Sequence, residues 1–318
     1  MERVVRVLAD HATVVVSGTK VAQELGTSRG EVWRLVQHLR ALGVAIEGHP
    51  ATGYQLAAVP DLLLPAVLAP LIRGTLFSRS LRHFFKIDST NVAAMAAAQD
   101  GAPEGTVFVA EEQTAGRGRG GHTWHSAPST GVYVSAILRP QMPPADALLL
   151  SLATGLGVAD AVAEVTGCRP DLRWPNDVLV GDKKFCGILT EMQAEPTRVR
   201  HVVVGVGINV NHDTLPADIA PIATSLRVET GRSWSRVALT AAVLRALDRE
   251  YRQLRDRGSI IRRFEQASSF ARDKLVLVEE EGGYEGTTAG MDEHGFLRVQ
   301  TASGMKTVLS GGVRARKT

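Results

Sequence analysis

Glu111-Glu112-Gln113-Thr114-Ala115-Gly116-Arg117-Gly118-Arg119-Gly120-Gly121-His122-Thr123-Trp124 is the run on which the reading of this chain turns. Its glycines alternate with Arg117 and Arg119, which sets flexible backbone beside two permanent cations. Such a loop can close over a polyanion and hold it with guanidinium forks. It is not a Walker phosphate loop, because the final Gly-Lys-Ser/Thr is missing. It is not a dinucleotide fingerprint either, because no helix follows. The plainer readings are a mobile surface loop or an RNA-binding Gly/Arg tract. One short copy between two strand-like runs, Thr106 to Ala110 and Gly131 to Leu138, argues against the tract.

Three further stretches stand downstream. Arg173-Trp174-Pro175-Asn176-Asp177 has a proline that restricts Trp174 to extended backbone, with Asn176 and Asp177 at a strand end. Lys183-Lys184-Phe185-Cys186-Gly187-Ile188-Leu189-Thr190-Glu191 puts two ammonium groups before a buried-looking strand; a solvated edge lysine is the ordinary reading of such a position. Val204-Gly205-Val206-Gly207-Ile208-Asn209-Val210-Asn211 allows either close backbone approach to a ligand or tight sheet packing.

Around these runs the pattern alternates between strand and helix. Leu81 to Ile87, Leu172 to Trp174, Val178 to Val180, Phe185 to Met192 and Val202 to Asn209 read as strands. Asn91 to Gln99, Ala145 to Val165 and Trp234 to Leu254 read as helices. From Lys274 onward short strands separated by turns describe a small all-β module: Leu275 to Val278, Tyr284 to Ala289, Phe296 to Val299 and Lys306 to Leu309.

The first sixty residues differ again. Val4, Val5, Leu8 and Ala9 form one apolar stripe, and Val21, Ala22 and Leu25 a second. Ser28-Arg29-Gly30-Glu31 reads as a capping box before a helix with Val32, Leu35, Val36 and Leu39 on one face and Gly43 at its end. Val44 to Leu56 reads as a hairpin. Leu62 to Gly74 reads as a short linking helix. Helix, tight turn, capped helix and hairpin together make a winged helix-turn-helix. Ser28, Arg29, Arg34 and Gln37 are then its candidate DNA contacts, with Trp33 packing against the wing. A dimerisation or docking module is the alternative. Six basic side chains against five acidic ones in residues 1–60 make a weak phosphate binder.

Composition sets bounds on these readings. The 318 residues suit about two domains, or one large one. At 44% hydrophobic and 22% charged, the chain folds rather than staying disordered. A net charge of +3 permits nucleic-acid binding without arguing for it. Two cysteines, Cys168 and Cys186, make no disulfide scaffold and fit the core of a protein in a reducing compartment. The N-terminus lacks the apolar stretch of a signal peptide. The most apolar segment, Leu62 to Ile72, is too short for a bilayer, so no membrane association and a cytoplasmic location are expected. His11, His122 and His212 are not at metal-ligand spacing and read as surface or loop residues.

Taken in order, the four central stretches resemble those of the bacterial biotin–protein ligases, and Ser89-Thr90-Asn91 falls where that family has a further motif. The helix-turn-helix in front and the β module behind resemble the bifunctional branch, which also represses the biotin operon. The resemblance covers nearly the whole chain. It implies a multidomain fold: a winged helix-turn-helix in residues 1–62, an α/β mixed-sheet catalytic domain in 63–272, and a small SH3-like β-barrel in 273–318.

The resemblance also implies a chemistry. Biotin and ATP give biotinyl-5′-AMP and pyrophosphate, and biotin then passes to one lysine of a carrier domain of the acetyl-CoA carboxylase type. Mg²⁺ held mainly by the ATP phosphates assists. The implied catalytic residues are Lys184, Asp177, Arg117 and Arg119. Those implied to bind biotin and the adenylate are Ser89, Thr90, Asn91, Gln113, Gly116, Arg117, Gly118, Arg119, Trp124, Asn176, Lys184, Gly187 and Asn209. Trp124 would lie near the adenine, and the glycine-arginine loop would order over the ligand. Operator DNA and a ligand-promoted homodimer complete the expected partners. The alternative keeps the ligase but reduces the N-terminal unit to stabilising or docking. Many relatives have Gly-Arg-Gly-Arg-Arg-Gly-Arg in the loop, whereas Gly120 and His122 stand here in place of two of those arginines.

Overall fold

The computed structural model describes residues 1–316 except 10, 12–13, 42–43, 50–51, 58–60 and 281. Gly43, expected to end a helix, lies outside the described residues. The chain separates into two compact units, Met1–Val67 and Leu68–Thr318.

The first unit runs α1 (Glu2–Ala9), α2 (Gly18–Leu25), α3 (Arg29–Ala41), β1 (Ile46–His49) and β2 (Gly53–Leu56), and the division between the units falls within α4 (Pro65–Leu71). Its core is the set of stripes read from the sequence: Val4, Val5 and Leu8, then Val21 and Ala22, then Val32, Val36 and Leu39. The Ser17 side chain caps α2 by accepting from the Lys20 N–H at 3.1 Å, and Gly26 ends the helix at φ +68°. Tyr54 and Val16 exchange backbone hydrogen bonds, which seats the hairpin beside the start of α2. Gly53 is required there, because a Cβ would collide with the Val16 carbonyl.

Only half of the expected capping box forms. The Ser28 hydroxyl accepts from the Glu31 N–H at 3.2 Å, but the Glu31 carboxylate turns outward and grips Arg34 at 2.7 and 2.9 Å. Trp33 also departs from expectation. One residue beyond the buried Val32 it has rotated about 100° around the helix, and it stands 58% exposed rather than covered by the hairpin.

The second unit is built on a seven-stranded mixed sheet: β3 (Ser80–Phe84), β4 (Thr106–Ala110), β5 (Gly131–Leu138), β6 (Asp171–Arg173), β7 (Asp177–Val180), β8 (Lys183–Ala194) and β9 (Val199–Asn209). Their order is β3-β4-β5-β9-β8-β7-β6. Only β3 and β4 pair in parallel, joined through α5 (Thr90–Gln99). Every residue of β4 and β5 is buried, as expected of strands covered on both faces.

Across the sheet lies α6 (Leu148–Thr166), with α8 (Arg236–Arg252) and α9 (Arg257–Ala267) packed against it; α7 (Leu226–Thr230) is a short turn of helix. The segment Pro144–Thr166 is long and apolar enough by length and composition to cross a membrane, so Leu62 to Ile72 is not the most apolar stretch after all. Here α6 serves as a core helix, with Leu149, Leu150, Leu152, Val158 and Val162 all buried. Each such side chain is worth roughly 1.5–3 kcal/mol. Cys186 is buried and Cys168 half-buried.

At the end of β4 a buried ion pair and a histidine are sealed from water. Glu111 meets His83 at 3.1 Å and Arg236 at 2.7 Å, and all three side chains are at most 2% exposed. The trio ties β3 and the end of β4 to α8.

The C-terminal residues form a five-stranded antiparallel sheet, one strand more than expected: β10 (Arg272–Val278), β11 (Tyr284–Met291), β12 (Leu297–Thr301), β13 (Gly304–Val308) and β14 (Val313–Ala315), in the order β13-β12-β11-β10-β14. The Trp174 indole donates to the Gly295 carbonyl at 2.9 Å, joining this sheet to the Arg173–Asp177 stretch.

Candidate active site

The cleft opens where β5, β9 and β8 run side by side, and register explains why there is room. Tyr133, Gly207 and Gly187 lie on one rung across the three strands; Ser135, Gly205 and Leu189 lie on the next alternate rung. The missing glycine side chains make the floor. A Cβ on Gly207 would come within 2.6 Å of the Trp124 indole, and one on Gly187 within 2.9 Å of it. A Cβ on Gly205 would collide with the Asn91 amide oxygen. These glycines therefore serve close approach rather than sheet packing alone.

One end of the cleft is a chain of hydrogen bonds. Thr90 donates its N–H to Gln113 Oε1 at 2.8 Å, which turns Gln113 Nε2 to Ser126 Oγ at 2.9 Å. The Ser135 hydroxyl lies 2.8 Å from Thr90 Oγ1 and 2.6 Å from Asn91 Oδ1. Asn91 Nδ2 donates to Glu191 Oε2 at 2.8 Å. Ser89, Thr90 and Asn91 are all buried at the start of α5. Such a set of fixed donors and acceptors suits a compact polar group with both N–H and C=O functions.

The other end is cationic. Lys184 Nζ sits 2.6 Å from Asp177 Oδ1, while Arg173 reaches Asp177 Oδ2 at 2.7 Å. Burial by itself would raise the Asp177 pKa. The Lys184 and Arg173 charges outweigh that and hold the carboxyl below the usual aspartate value. Lys184 also lies 5.4 Å from the centre of the Trp124 ring. Its backbone is fixed by bonds to Ile222 and Thr224.

Between the two ends lies the glycine-arginine loop. It doubles back on itself: the Trp124 N–H donates to the Gly116 carbonyl at 2.8 Å and the Gly118 N–H to the His122 carbonyl at 2.7 Å. Gly120 and Gly121 take positive φ at the tip, +63° and +80°. Arg119 donates to Asn176 Oδ1 at 3.2 Å and to the Gly311 carbonyl at 3.1 Å. Burial lowers the Arg119 pKa and the nearby Asp177 charge opposes that fall.

Eleven of the expected ligand-binding residues therefore line one cleft: Ser89, Thr90, Asn91, Gln113, Arg117, Gly118, Arg119, Trp124, Asn176, Lys184 and Gly187. Asp177 stands behind Lys184. Gly116 supports the turn to Trp124, and a Cβ there would approach the Trp124 carbonyl at 2.5 Å. Asn209 is not among the lining residues; it is buried and donates to the Thr224 carbonyl at 3.1 Å. Tyr133 and Ser135 also line the cleft, and no local motif marks them in the sequence. Their only signal is position two residues apart on a buried strand. His212 lies in a loop, as read from the sequence, but a buried one. It is 3% exposed, 3.0 Å from Thr130 Oγ1, and its pKa is lowered to about 4, by burial first and by His125 second.

Residues 84–209 match the biotin/lipoate A/B protein ligase family, and residues 1–55 match a helix-turn-helix (HTH) domain family. The chain is 34% identical to the bifunctional ligase/repressor BirA of Bacillus subtilis over 302 residues, covering 94% of this chain and 93% of that one. It is 36% identical to the biotin–[acetyl-CoA-carboxylase] ligase of Mycobacterium tuberculosis over 241 residues, 74% of this chain and 88% of that one. A solved biotin protein ligase from Aquifex aeolicus, in complex with biotin and ATP, superimposes with a TM-score of 0.65 at 31% identity, over 76% of this chain and all of that one.

Proposed function

The chain belongs to the family of bifunctional biotin–protein ligases and repressors, and from that premise we infer how its cleft works. The protein is an ATP-dependent biotin–protein ligase that also represses transcription of biotin genes. The observation that carries the catalytic half is the polarity of one cleft: amide and hydroxyl partners at one end for a cyclic urea, glycine floor between, and cations at the other end for carboxylate and phosphate. Biotin-dependent exchange of pyrophosphate into ATP is the direct test, and folded protein without that exchange overturns the assignment.

In the first step a biotin carboxylate oxygen bonds to the α-phosphorus of ATP and pyrophosphate leaves. Lys184 and Arg117 face the charge that gathers there. Arg119 closes the loop, and Trp124 covers the ligand near the adenine. Mg²⁺ would enter with ATP and supply charge neutralisation at its phosphates. In the second step the neutral amine of a carrier lysine attacks the acyl carbon, the bond from that carbon to the AMP phosphate oxygen breaks, and the amine's proton leaves with the departing phosphate.

Asp177 orients that incoming amine. Both its oxygens are occupied by cations in the structure, which makes it a poor proton acceptor. When phosphate draws Lys184 away, Oδ1 becomes available to the amine. Asp177→Asn is therefore expected to slow single-turnover transfer from preformed adenylate about a hundredfold, by loss of positioning. Unchanged transfer would make Asp177 a purely structural partner of Arg173.

Arg119→Gly removes the tie from the loop to Asn176 and Gly311. It is expected to release adenylate faster and to biotinylate stray lysines, since closure keeps water and wrong nucleophiles from a reactive anhydride. Tight retention with unchanged selectivity in a dialysis and labelling assay would refute this.

The remaining assignments complete the reading. The acceptor is a carrier domain of the acetyl-CoA carboxylase type. Residues 273–318 form an SH3-like domain, with domain limits at 62/63 and 272/273. The protein is cytoplasmic, and adenylate promotes a homodimer that binds a two-fold operator through Ser28, Arg29, Arg34 and Gln37. Two weak reading heads on one palindrome add their contacts, which offsets the near-neutral charge of residues 1–60. The alternative, an N-terminal unit that only stabilises or docks, predicts adenylate-loaded protein that dimerises yet binds no DNA site selectively.

A further inference from the structure

The one tryptophan standing in solvent lies on the outer face of α3. Trp174 is buried, Trp124 and Trp234 are half-covered, and Trp33 is 58% exposed. Arg29 precedes it by four residues and Gln37 follows it by four, so the three make one stripe along the helix. A solvated helix position has no use for an indole, and tryptophan is only a middling helix former. Arg34, the other cation of this face, is held in a two-point grip by Glu31. The stripe most ready to meet a partner is thus cation, indole, amide.

We propose that Trp33 reads sequence: its indole enters the major groove and packs against the 5-methyl group of a thymine, while Arg29 meets the adjoining backbone. This rests on the repressor reading above. The thymine methyl is the one apolar group on the major-groove edges of the bases. An exposed rigid aromatic on the second helix of a helix-turn-helix therefore has a specific complement there. The HTH match over residues 1–55 and the exposed Arg29 favour duplex DNA over a protein as the occupant. Arg34, paired with Glu31, must give up that partner to meet DNA, whereas the indole needs no such exchange.

The test uses the full chain with biotin and ATP at one fixed salt concentration. Duplex sites are selected from a random library. Each thymine of the recovered site is then replaced by deoxyuridine, which removes only the methyl group. One thymine per half-site is expected to cost the wild type about fourfold in affinity when replaced, the value of one buried methyl. Trp33→Ala, which removes the indole from both half-sites, is expected to lose about fifteenfold or more on the unmodified site and nothing further on a site with deoxyuridine in both half-sites. Trp33→Phe should retain most of the binding. Pyrophosphate exchange should be unchanged in both variants, which shows that the second unit is folded, and an unchanged helical circular-dichroism signal and melt show that the first unit is folded too.

Equal deoxyuridine losses in wild type and Trp33→Ala would overturn the proposal. So would full-strength DNA binding by Trp33→Ala, and a concurrent fall in carrier biotinylation would reassign the indole to a protein contact. Failure to recover any site with active enzyme would overturn the repressor reading itself, and the proposal with it.

Discussion

Lys184→Met is expected to lower the rate of adenylate formation by about two to three orders of magnitude, the usual cost of removing one preorganised charge from a site of developing negative charge. The side chain is set for this. It is anchored at its backbone by the 222–224 segment, packed against Trp124, and held by Asp177 at 2.6 Å. The role proposed for it is electrostatic. Paired as an ammonium with the Asp177 carboxylate, it offers no lone pair for attack. The variant should therefore fail in pyrophosphate release without any biotin appearing on Lys184 of the wild type by mass spectrometry. A solvated edge lysine would leave the rate near normal, and an obligatory biotinyl-Lys184 would replace this mechanism with a covalent one. Methionine keeps the length and apolar stem, so folding should be preserved.

The second large effect is on stability. Arg236→Met leaves Glu111, 0% exposed, without its 2.7 Å partner, and is expected to cost about 3–5 kcal/mol. The melting temperature of the second unit should fall by roughly 10 °C or more. The pair need not be net favourable, because burying two charges is itself costly. Glu111→Gln combined with Arg236→Met should then recover much of the loss. Thermal unfolding of the two single variants and the double variant closes the cycle. Additive losses, or a single-variant loss below about 1 kcal/mol, would show that the pair is not coupled as its geometry requires.

Much of this was legible from the chain alone, for reasons that can be named. The buried strands β4 and β5 carry unbroken apolar runs between turn residues, and their limits fall where the sequence puts them. The cleft residues gather because each motif sits at an element end: Ser89 before α5, Asn176 and Asp177 opening β7, Lys184 opening β8. Where the reading failed, the causes differ from place to place. Helix α9 buries only Ile260 and Phe264, too narrow a stripe to announce itself, although the Asp256 side chain caps it by accepting from the Ser259 N–H at 2.9 Å. Strand β14 has three residues and exists through its pairing with β10. Glu31 chose Arg34, one turn on, over its own cap, because a charged fork outbids a single backbone N–H. Tyr133 and Ser135 became site residues only when the sheet register set them beside Gly207 and Gly205.

That register also divides the protein's response to its substrates into a stiff part and a compliant part. The trough is produced by subtraction, through glycines at matched positions of two central strands whose other side chains are close-packed. Its width cannot relax when empty, since narrowing it would mean unpairing the middle of the sheet. Adjustment therefore falls on what lies above the floor, chiefly Trp124 and the loop that bears it. The speed of substrate capture should be governed by that upper layer, while the discrimination of shape is fixed beforehand by the strands beneath.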